Sequence, residues 1–409
     1  MAGQESPTGA ERSVRFVPAR IRDLTAPGHV VLLVCVLINV YAGFHFYSPL
    51  LDDGWGDFDD HTWRRDTESR NTLARIFDPL LATGHEAMDT SYLPVQSVLY
   101  HVSVNVLRQG SIPIRVLGLW LHVLNSCLVL VLALRFCRSV PAAHMASLMF
   151  LLYPRNAGTV AWLCASLAHG LVLFIYLLSF LLLQTYAHRR GWWRLLLGVL
   201  LFVCAVLTKE LGSTLFAAVV LYDVLVVMGP RALWPPRWKV WLALVARHAP
   251  MALVVVTAIV IQMLKYETGF VHTKFGGVAF GWRNPLRLLE LLTLMLHWGE
   301  RWPPETVAVA MAGIFVAIVA GAWAFRRQPQ VLFLVLWLPL VVTPFTISNF
   351  RDVNRLGRYV YEASAILAIL GATLSVRLLR WRRFLTWPLL NVALFLLVIF
   401  AITVTRIAR

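Results

Sequence analysis

Apolar runs of about 20 residues recur along almost the whole chain, and they constrain its fold more than any other feature. Inside a bilayer no water satisfies the backbone N–H and C=O groups, so a spanning segment has to form its own hydrogen bonds as a helix. Of the 409 residues, 59% are hydrophobic and only 14% are charged. The sequence therefore predicts an all-α protein that crosses a membrane several times.

The chain is strongly basic, with a formal net charge of +16 at pH 7 and 37 lysines and arginines. Only four of these residues are lysines, and the arginines fall mostly in short clusters between the apolar runs. Arginine-rich loops mark the cytoplasmic side of a membrane protein. We therefore interpret the charge as a determinant of topology and of contact with membrane lipid headgroups, and not as a sign of nucleic-acid binding.

Together, the apolar runs and the arginine clusters predict about eleven membrane-spanning helices. The predicted spans are 28–47, 113–136, 141–154, 168–187, 193–208, 211–228, 243–263, 304–325, 329–347, 358–376 and 384–405. The stretch 285–302 is also apolar, but it carries charged side chains throughout, so we place it as an interfacial helix on the far side. With that placement, Arg326 and Arg327 stay on the cytoplasmic side.

The first apolar run is preceded by arginines at positions 12, 15, 20 and 22. A signal peptide has a shorter apolar region and a cleavage site of small residues, and neither pattern occurs here. The sequence predicts a cytoplasmic N-terminal tail over residues 1–27 and one transmembrane domain over residues 28–406. The use of arginine in preference to lysine favours a bacterial inner membrane over the endoplasmic reticulum.

Several segments then collect on the far, external side, where one cleft can gather them. They are the first external loop (48–112), the turn after Pro154, Lys209 with Glu210, the external loop 264–302 and the segment 348–359. Within the first loop, residues 72–84 and 92–107 are amphipathic and too short or too polar to span. We expect interfacial helices there.

The first external loop is unusually acidic. Ten of the 21 acids of the chain lie between Asp52 and Asp89, including the adjacent pairs Asp52–Asp53 and Asp59–Asp60. One interpretation is a solvated loop, because Asp is common in turns and at helix starts. The other is a general base or a metal ligand, because like-charged neighbours raise the pKa of a carboxyl group. The sequence requires no cofactor and leaves open a divalent metal at these acids.

Polar residues inside the apolar runs favour structural roles. His122 and Asn125 fit packed groups that bond between helices, and Asp223 lies away from the external side. The five cysteines lie in or beside apolar runs, with neither a disulfide framework nor metal-ligand spacing.

Seven stretches, taken in order, resemble the membrane domain of the GT-C-fold glycosyltransferases, and in particular the tetratricopeptide-containing transmembrane O-mannosyltransferases and their bacterial relatives. They are "FDD" (58–60), "LARIF" (73–77), "YLPVQSVLYHVSVNVL" (92–107), "LWLHVLNSCLVLVLALRF" (119–136), "YPRNAGTVAWLCAS" (153–166), "LTKELGSTLFAAVVLYDVL" (207–225) and "RYVYEAS" (358–364). The resemblance covers roughly residues 30–375 and rests on the order and spacing of the motifs.

The resemblance implies an enzyme that takes a sugar, mannose in the family named, from a polyprenyl-phosphate carrier on the periplasmic or luminal face. Its acceptor would be a hydroxyl on a protein, a glycan or a lipid. Asp59 and Asp60 match the catalytic acidic motif, with Asp52 and Asp53 in reserve. The implied carrier-phosphate ligands are Arg358, Lys209 and Arg155, and the implied cleft-lining residues are Glu210, Asn156, His169, Tyr359 and Tyr361.

The chain also departs from the family pattern. Tyr153 and Gly158 stand where the family usually has His and Glu, Ser166 and Ala168 stand where it has Arg and Asp, and the tetratricopeptide repeats are absent. The sugar and the acceptor therefore stay open. Two other functions also stay open: a lipid or small-molecule transporter or flippase, which usually carries mid-membrane charges and inverted repeats, and a membrane assembly protein without catalysis.

Overall fold

The computed structural model describes residues 25–51, 93–108, 111–229, 238–265, 283–296, 302–347 and 360–381, together with isolated positions at 61, 64, 67–68, 76–77, 392, 396–400 and 402–404. Within these ranges the chain forms helices and turns and no strand. The prediction of an all-α fold is confirmed.

Thirteen α-helices have described bounds. They are α1 (Ala26–Tyr47), α2 (Pro94–His101), α3 (Ile112–Cys137), α4 (Val140–Leu151), α5 (Pro154–Ala161), α6 (Leu163–Arg189), α7 (Trp192–Thr208), α8 (Thr214–Tyr222), α9 (Trp238–Lys265), α10 (Arg283–Thr293), α11 (Pro304–Ala324), α12 (Pro329–Val342) and α13 (Tyr361–Trp381). Short 3₁₀ segments, Ser48–Leu51, Glu210–Ser213 and Thr343–Ile347, and π-helical segments, Val102–Val106 and Asp223–Met228, extend several of them.

Eight helical segments in the described ranges are long and apolar enough to cross a membrane: Ala26–Leu51, Ile112–Cys137, Leu163–Arg189, Glu210–Met228, Trp241–Ile261, Pro304–Ala324, Pro329–Thr346 and Tyr361–Arg380. Two further apolar helices, α4 and α7, are shorter. These ten correspond one by one to the first ten predicted spans, so the chain is a multi-pass membrane protein. The predicted span 384–405 lies mostly outside the described residues.

Proline fixes where many of these helices begin. A proline occupies the first or second helical position of α1, α2, α3, α4, α5, α11 and α12. The first N–H groups of a helix have no partner within it, so a residue without an N–H costs nothing there. A proline that follows a polar turn therefore marks, in the sequence, where the next helix begins.

The short amphipathic helices lie where the sequence predicts non-spanning segments. α10 has 11 residues, fewer than the roughly 17 that a span requires. Its buried end, Leu291 and Leu292, packs with Val342 and Val360, beside the end of α12 and the start of α13. α2 and the π-helical segment after it form the helix expected over 92–107, whereas the segment 72–84 lies almost entirely outside the described residues.

The core of the bundle is formed mainly by α3, α6, α8, α12 and α13. Four aromatic side chains meet there: Phe180, Tyr222, Phe333 and Trp337, with the Phe180 and Trp337 ring centroids 4.5 Å apart. By contrast, the spanning part of α9 is 17% buried and that of α11 is 0% buried. These two helices therefore present their apolar side chains outward, as lipid-facing helices do.

The arginine clusters gather at one end of the bundle. Arg135 Nη1 donates to Gln184 Oε1 over 2.9 Å, which joins the ends of α3 and α6. Arg377 Nη2 donates to Gln330 Oε1 over 3.1 Å, which joins the end of α13 to the start of α12. We call this the Arg-rich end; it comprises Arg135, Arg138, Arg189, Arg190, Arg194, Arg326, Arg327, Arg377 and Arg380. The other end is called the opposite end.

Candidate active site

The first turn of α13 carries three polar side chains into the interior at the opposite end. Tyr361, Glu362 and Ser364 are each at most 3% exposed. Each bonds to a different helix, α3, α6 and α5 respectively. One helical turn of α13 therefore ties together three segments that are far apart in sequence.

Tyr361 bonds to the middle of α3. Its hydroxyl lies 2.8 Å from His122 Nδ1, and His122 Nε2 lies 3.0 Å from the Leu151 carbonyl oxygen. A carbonyl only accepts, so Nε2 carries the proton, and Nδ1 of a neutral imidazole accepts from the tyrosine hydroxyl. Asn125 Nδ2 donates to the same hydroxyl oxygen over 3.4 Å and to the Gly170 carbonyl over 2.8 Å. His122 and Asn125 are thus interhelical hydrogen-bonding groups, as predicted.

Glu362 forms a buried pair with His169 of α6. Glu362 Oε1 lies 2.7 Å from His169 Nδ1, and the two side chains are 3% and 1% exposed. One proton lies between Glu362 Oε1 and His169 Nδ1, and it is bound either to the carboxyl group or to the imidazole. The Lys209 ammonium also interacts electrostatically with the Glu362 carboxyl. Ionisable groups inside a membrane are costly unless they are paired, so this cluster marks a specialised place.

Lys209 and Glu210 sit at a break between two helices. α7 ends at Thr208, Lys209 is extended with φ −162°, and the 3₁₀ segment begins at Glu210. Both side chains are half-buried. The break turns the chain at the opposite end of the bundle, where the sequence predicted this pair.

α5 places Arg155 and Asn156 in the same region. Asn156 is fully buried: its Nδ2 donates to the Phe150 carbonyl over 2.8 Å, and its Oδ1 accepts from Ser364 Oγ over 3.1 Å. Arg155 is half-buried, and burial lowers the pKa of its guanidinium below the ordinary value. A guanidinium still stays charged at neutral pH, so Arg155 supplies a positive charge beside this network.

The structure therefore brings together Asn156, His169 and Tyr361, with Lys209 acting on Glu362. The side chains of Asn156, His169 and Tyr361 are all buried. Arg155 and Glu210 are chain neighbours of Asn156 and Lys209. The remaining predicted site residues lie outside the described residues: Asp52, Asp53, Asp59, Asp60, Arg358 and Tyr359.

Glu362 belongs to the site but is not among the site residues predicted from the sequence. The signal was available, because "RYVYEAS" places one acid at the start of an apolar helix, where an unpaired carboxylate is unfavourable. Its partner was not readable, since His169 is 193 positions away. Across the described ranges, no group of three His, Cys, Asp or Glu side chains is arranged to hold a metal ion.

Chemically, this end of the bundle combines two capabilities. Lys209 and Arg155 supply fixed positive charge, which suits an anionic group such as a phosphate. The His169–Glu362 pair and the Tyr361–His122 pair supply ordered proton donors and acceptors. The interlocking of α3, α5, α6 and α13 holds these groups in place.

No family model matches the sequence, and no curated protein matches it. The chain is similar to the crystal structure of ArnT from Cupriavidus metallidurans bound to undecaprenyl phosphate, with 16% identity and a TM-score of 0.46. The likeness covers 85% of this chain and 60% of the ArnT chain, so this chain spans less than two thirds of that protein. A likeness at this level does not assign a function to this chain.

Proposed function

We propose that the protein is a membrane glycosyltransferase that moves a sugar from a polyprenyl-phosphate carrier to an acceptor hydroxyl. The proposed reaction takes place at the opposite end of the bundle, on the periplasmic or luminal face. The observation that carries the proposal is the meeting of separate motif segments in one polar network.

Three motif segments that suggested the family contribute directly bonded residues to that network, and a fourth adds a nearby charge. "LWLHVLNSC" gives His122, "YPRNAGTVAW" gives Asn156, "RYVYEAS" gives Tyr361 and Glu362, and "LTKELGS" gives the Lys209 charge. Segments that merely packed in a lipid-facing bundle would be expected to contribute apolar side chains. Their convergence through buried polar groups supports a shared functional site.

The chemistry that the site must perform is a displacement at the anomeric carbon of the sugar. The acceptor oxygen forms a bond to that carbon, the bond from the carbon to the carrier phosphate breaks, and the phosphate leaves as polyprenyl phosphate. A base must take the acceptor proton as the oxygen attacks. In our proposal that base is Asp59 or Asp60, with Asp52 or Asp53 as the reserve.

The departing phosphate gains negative charge in the transition state, and nearby cations lower the barrier. We assign this role to Lys209, Arg155 and Arg358. The proposed role of the His169–Glu362 pair is positional: it sets the local charge that Lys209 experiences. Glu210, Asn156, Tyr359 and Tyr361 are proposed to shape the site around the sugar and the phosphate.

The positions of the ionisable groups distinguish this proposal from a transporter. Glu362 is the second residue of α13 and His169 is the seventh residue of α6, so both lie near helix ends. Transporters place such groups near the bilayer midplane, at broken helices related by a repeat.

The test measures release of polyprenyl phosphate from a polyprenyl-phosphate sugar by the purified full-length protein. We expect Asp59→Asn or Asp60→Asn to lower turnover by about 10²–10⁴-fold, the contribution of a general base. Lys209→Gln should lower turnover with the protein still folded. The matched control is Lys239→Gln, which changes a lysine at the start of α9, at the Arg-rich end, and should leave turnover unchanged.

Two results would overturn parts of the proposal. If Asp52→Asn or Asp53→Asn abolishes turnover while Asp59→Asn and Asp60→Asn do not, the reserve pair holds the base. If no polyprenyl-phosphate sugar is consumed with any acceptor class, protein, glycan or lipid, the glycosyltransferase function itself is wrong.

A further inference from the structure

A second polar cluster lies at the Arg-rich end, away from the candidate active site. Its centre is Asp223, the first residue of the π-helical segment after α8, and its side chain is 1% exposed. Arg247 Nη1 and His248 Nε2, both on α9, each lie 2.9 Å from Asp223 Oδ2. Asp223 therefore bonds to two consecutive residues of α9, a helix that otherwise faces lipid.

Two guanidinium groups flank one aromatic ring beside this cluster. Arg247 Cζ lies 5.2 Å from the centroid of the Tyr186 ring, and Arg190 Cζ lies 5.7 Å from it. The two cations are near enough to repel each other. Asp223 is the one acid at this end among the residues that the structure describes, and it balances one of them. At least one positive charge at the cluster is left for an external anion.

An apolar groove of about 890 Å³ runs along the outer face of α8 and α9 next to these charges. Its walls include Phe216, Val220, Leu244 and Leu253. His248, which bonds to Asp223, also lines the groove, so the groove adjoins the charged cluster at this residue. Because only 17% of the spanning part of α9 is buried, the groove opens toward lipid.

Exposed tryptophans fix the depth of the cluster in the membrane. Trp192 and Trp193 stand at the start of α7, and Trp238 and Trp241 stand at the start of α9; all four are exposed. Tryptophan concentrates at the level of the lipid headgroups. The arginines of the cluster are therefore at headgroup depth, and the groove leads from them into the hydrocarbon region.

We infer that this place binds one anionic glycerophospholipid. The negatively charged headgroup lies at Arg190 and Arg247 beside Tyr186, and one acyl chain lies in the groove between α8 and α9. A free phosphate would satisfy the charge but not the apolar groove, whereas a zwitterionic lipid would bring its own cation to two arginines. This site lies at the other end of the bundle from the candidate active site and does not depend on the proposed function.

Native mass spectrometry of the full-length protein in a neutral detergent tests the inference. The probes are phosphatidylglycerol and phosphatidylcholine with the same oleoyl chains, added in equal amounts. We expect the wild-type protein to retain one phosphatidylglycerol in preference to phosphatidylcholine. Arg190→Gln should weaken phosphatidylglycerol binding about fivefold, which corresponds to about 1 kcal/mol for one basic residue near a charged lipid. Its effect on phosphatidylcholine should be small.

The control for charge is Arg326→Gln. Arg326 is exposed at the same end and stacks over Trp323 at 4.3 Å, away from the groove. Equal losses in Arg190→Gln and Arg326→Gln would mean general attraction to the headgroup layer and would overturn the site. Within the described residues neither Arg190 nor Arg326 forms an ion pair with a carboxylate, so both variants should fold.

The groove is tested separately with Ala249→Trp, which places a large side chain at an exposed position of its wall. We expect this variant to lose affinity for dioleoyl phosphatidylglycerol but to bind a dihexanoyl analogue, whose short chains need no groove, as the wild type does. Unchanged binding of the dioleoyl lipid would overturn the placement of the acyl chain.

Discussion

At the scale of single residues, the hydrogen bond between His122 and Tyr361 gives a sharp prediction. Both side chains are buried, and their polar atoms lie 2.8 Å apart. His122→Phe leaves the Tyr361 hydroxyl and the Leu151 carbonyl without this partner, which should cost about 1–3 kcal/mol of the free energy of unfolding. Tyr361→Phe, which removes only one oxygen, should cost less.

The double variant separates a real bond from two independent losses. If the side chains bond as described, the cost of His122→Phe with Tyr361→Phe is smaller than the sum of the single costs by about 0.5–3 kcal/mol. Equilibrium unfolding of the detergent-solubilised protein in sodium dodecyl sulfate measures all three variants. Strict additivity would contradict the contact.

The buried pair His169–Glu362 makes a second prediction at this scale. His169→Ala leaves the Glu362 carboxyl with Lys209 as its charged neighbour and without its hydrogen-bond partner, and breaking a buried pair typically costs about 3–5 kcal/mol. Glu305→Gln is the control, because Glu305 is an exposed acid at the start of α11 and surface changes usually stay within about 0.5 kcal/mol. Thermal unfolding monitored by size-exclusion chromatography compares them. Equal melting temperatures for the two variants would mean that the pair contributes no stability.

At the scale of elements, the contact between α7 and the 3₁₀ segment Glu210–Ser213 depends on a glycine. A Cβ at Gly212 would lie 2.4 Å from the carbonyl carbon of Ala205 and 2.6 Å from the Val206 nitrogen. These are backbone atoms that cannot move aside without bending α7. The glycine therefore lets the chain fold back tightly enough to hold Lys209 and Glu210 at the helix break.

Gly212→Ala should consequently lower both the melting temperature and the turnover of polyprenyl-phosphate sugar. Gly313→Ala is the matched control, because a Cβ at Gly313 in α11 meets no atom within 4 Å. Alanine is also the better helix former, by about 1 kcal/mol, so the control should be neutral or slightly stabilising. If the Gly212→Ala protein had the melting temperature and turnover of the wild type, a Cβ atom would fit at this turn and the prediction would be wrong.

The helices also show how much of the fold can be predicted from the sequence. Apolar runs, prolines at helix starts and arginine clusters predicted ten spans that agree with described helices to within a few residues, except for the early part of α6. There the sequence predicts a span that begins at 168, whereas the helix begins at Leu163, because Trp162 alone breaks the chain between α5 and α6.

The candidate site was less accessible to prediction, for a physical reason. Periodicity and charge report which faces of one helix are apolar, but not which buried polar group on another helix completes a hydrogen bond. Tyr361 lies in one of the motifs and His169 lies three residues after another, whereas the pairing of His169 with Glu362 arises from the packing of α6 against α13. The acidic loop, which carries Asp59 and Asp60, lies outside the described residues, so its role stays a prediction.

At the scale of the whole molecule, charge divides the two ends of the bundle. The Arg-rich end gathers loops from α3, α6, α7, α11, α12 and α13, and Asp223 is its one acid among the described residues. Because arginine-rich loops stay on the cytoplasmic side during insertion, we predict that this end faces the cytoplasm. The candidate active site then faces the periplasm or lumen, where a sugar carried on a polyprenyl phosphate would have to be displayed for transfer.

Cysteine accessibility tests this orientation, in a background where the five native cysteines are replaced by alanine. Trp192→Cys reports on the Arg-rich end, since Trp192 is 75% exposed at the start of α7. Gly84→Cys reports on the loop 48–112. A membrane-impermeant maleimide should label Gly84→Cys in intact cells and should label Trp192→Cys only after the membrane is permeabilised. The reverse pattern would place the Arg-rich end outside and the candidate site in the cytoplasm. The proposed transfer on the external face would then be impossible, because the polar network would face the cytoplasm.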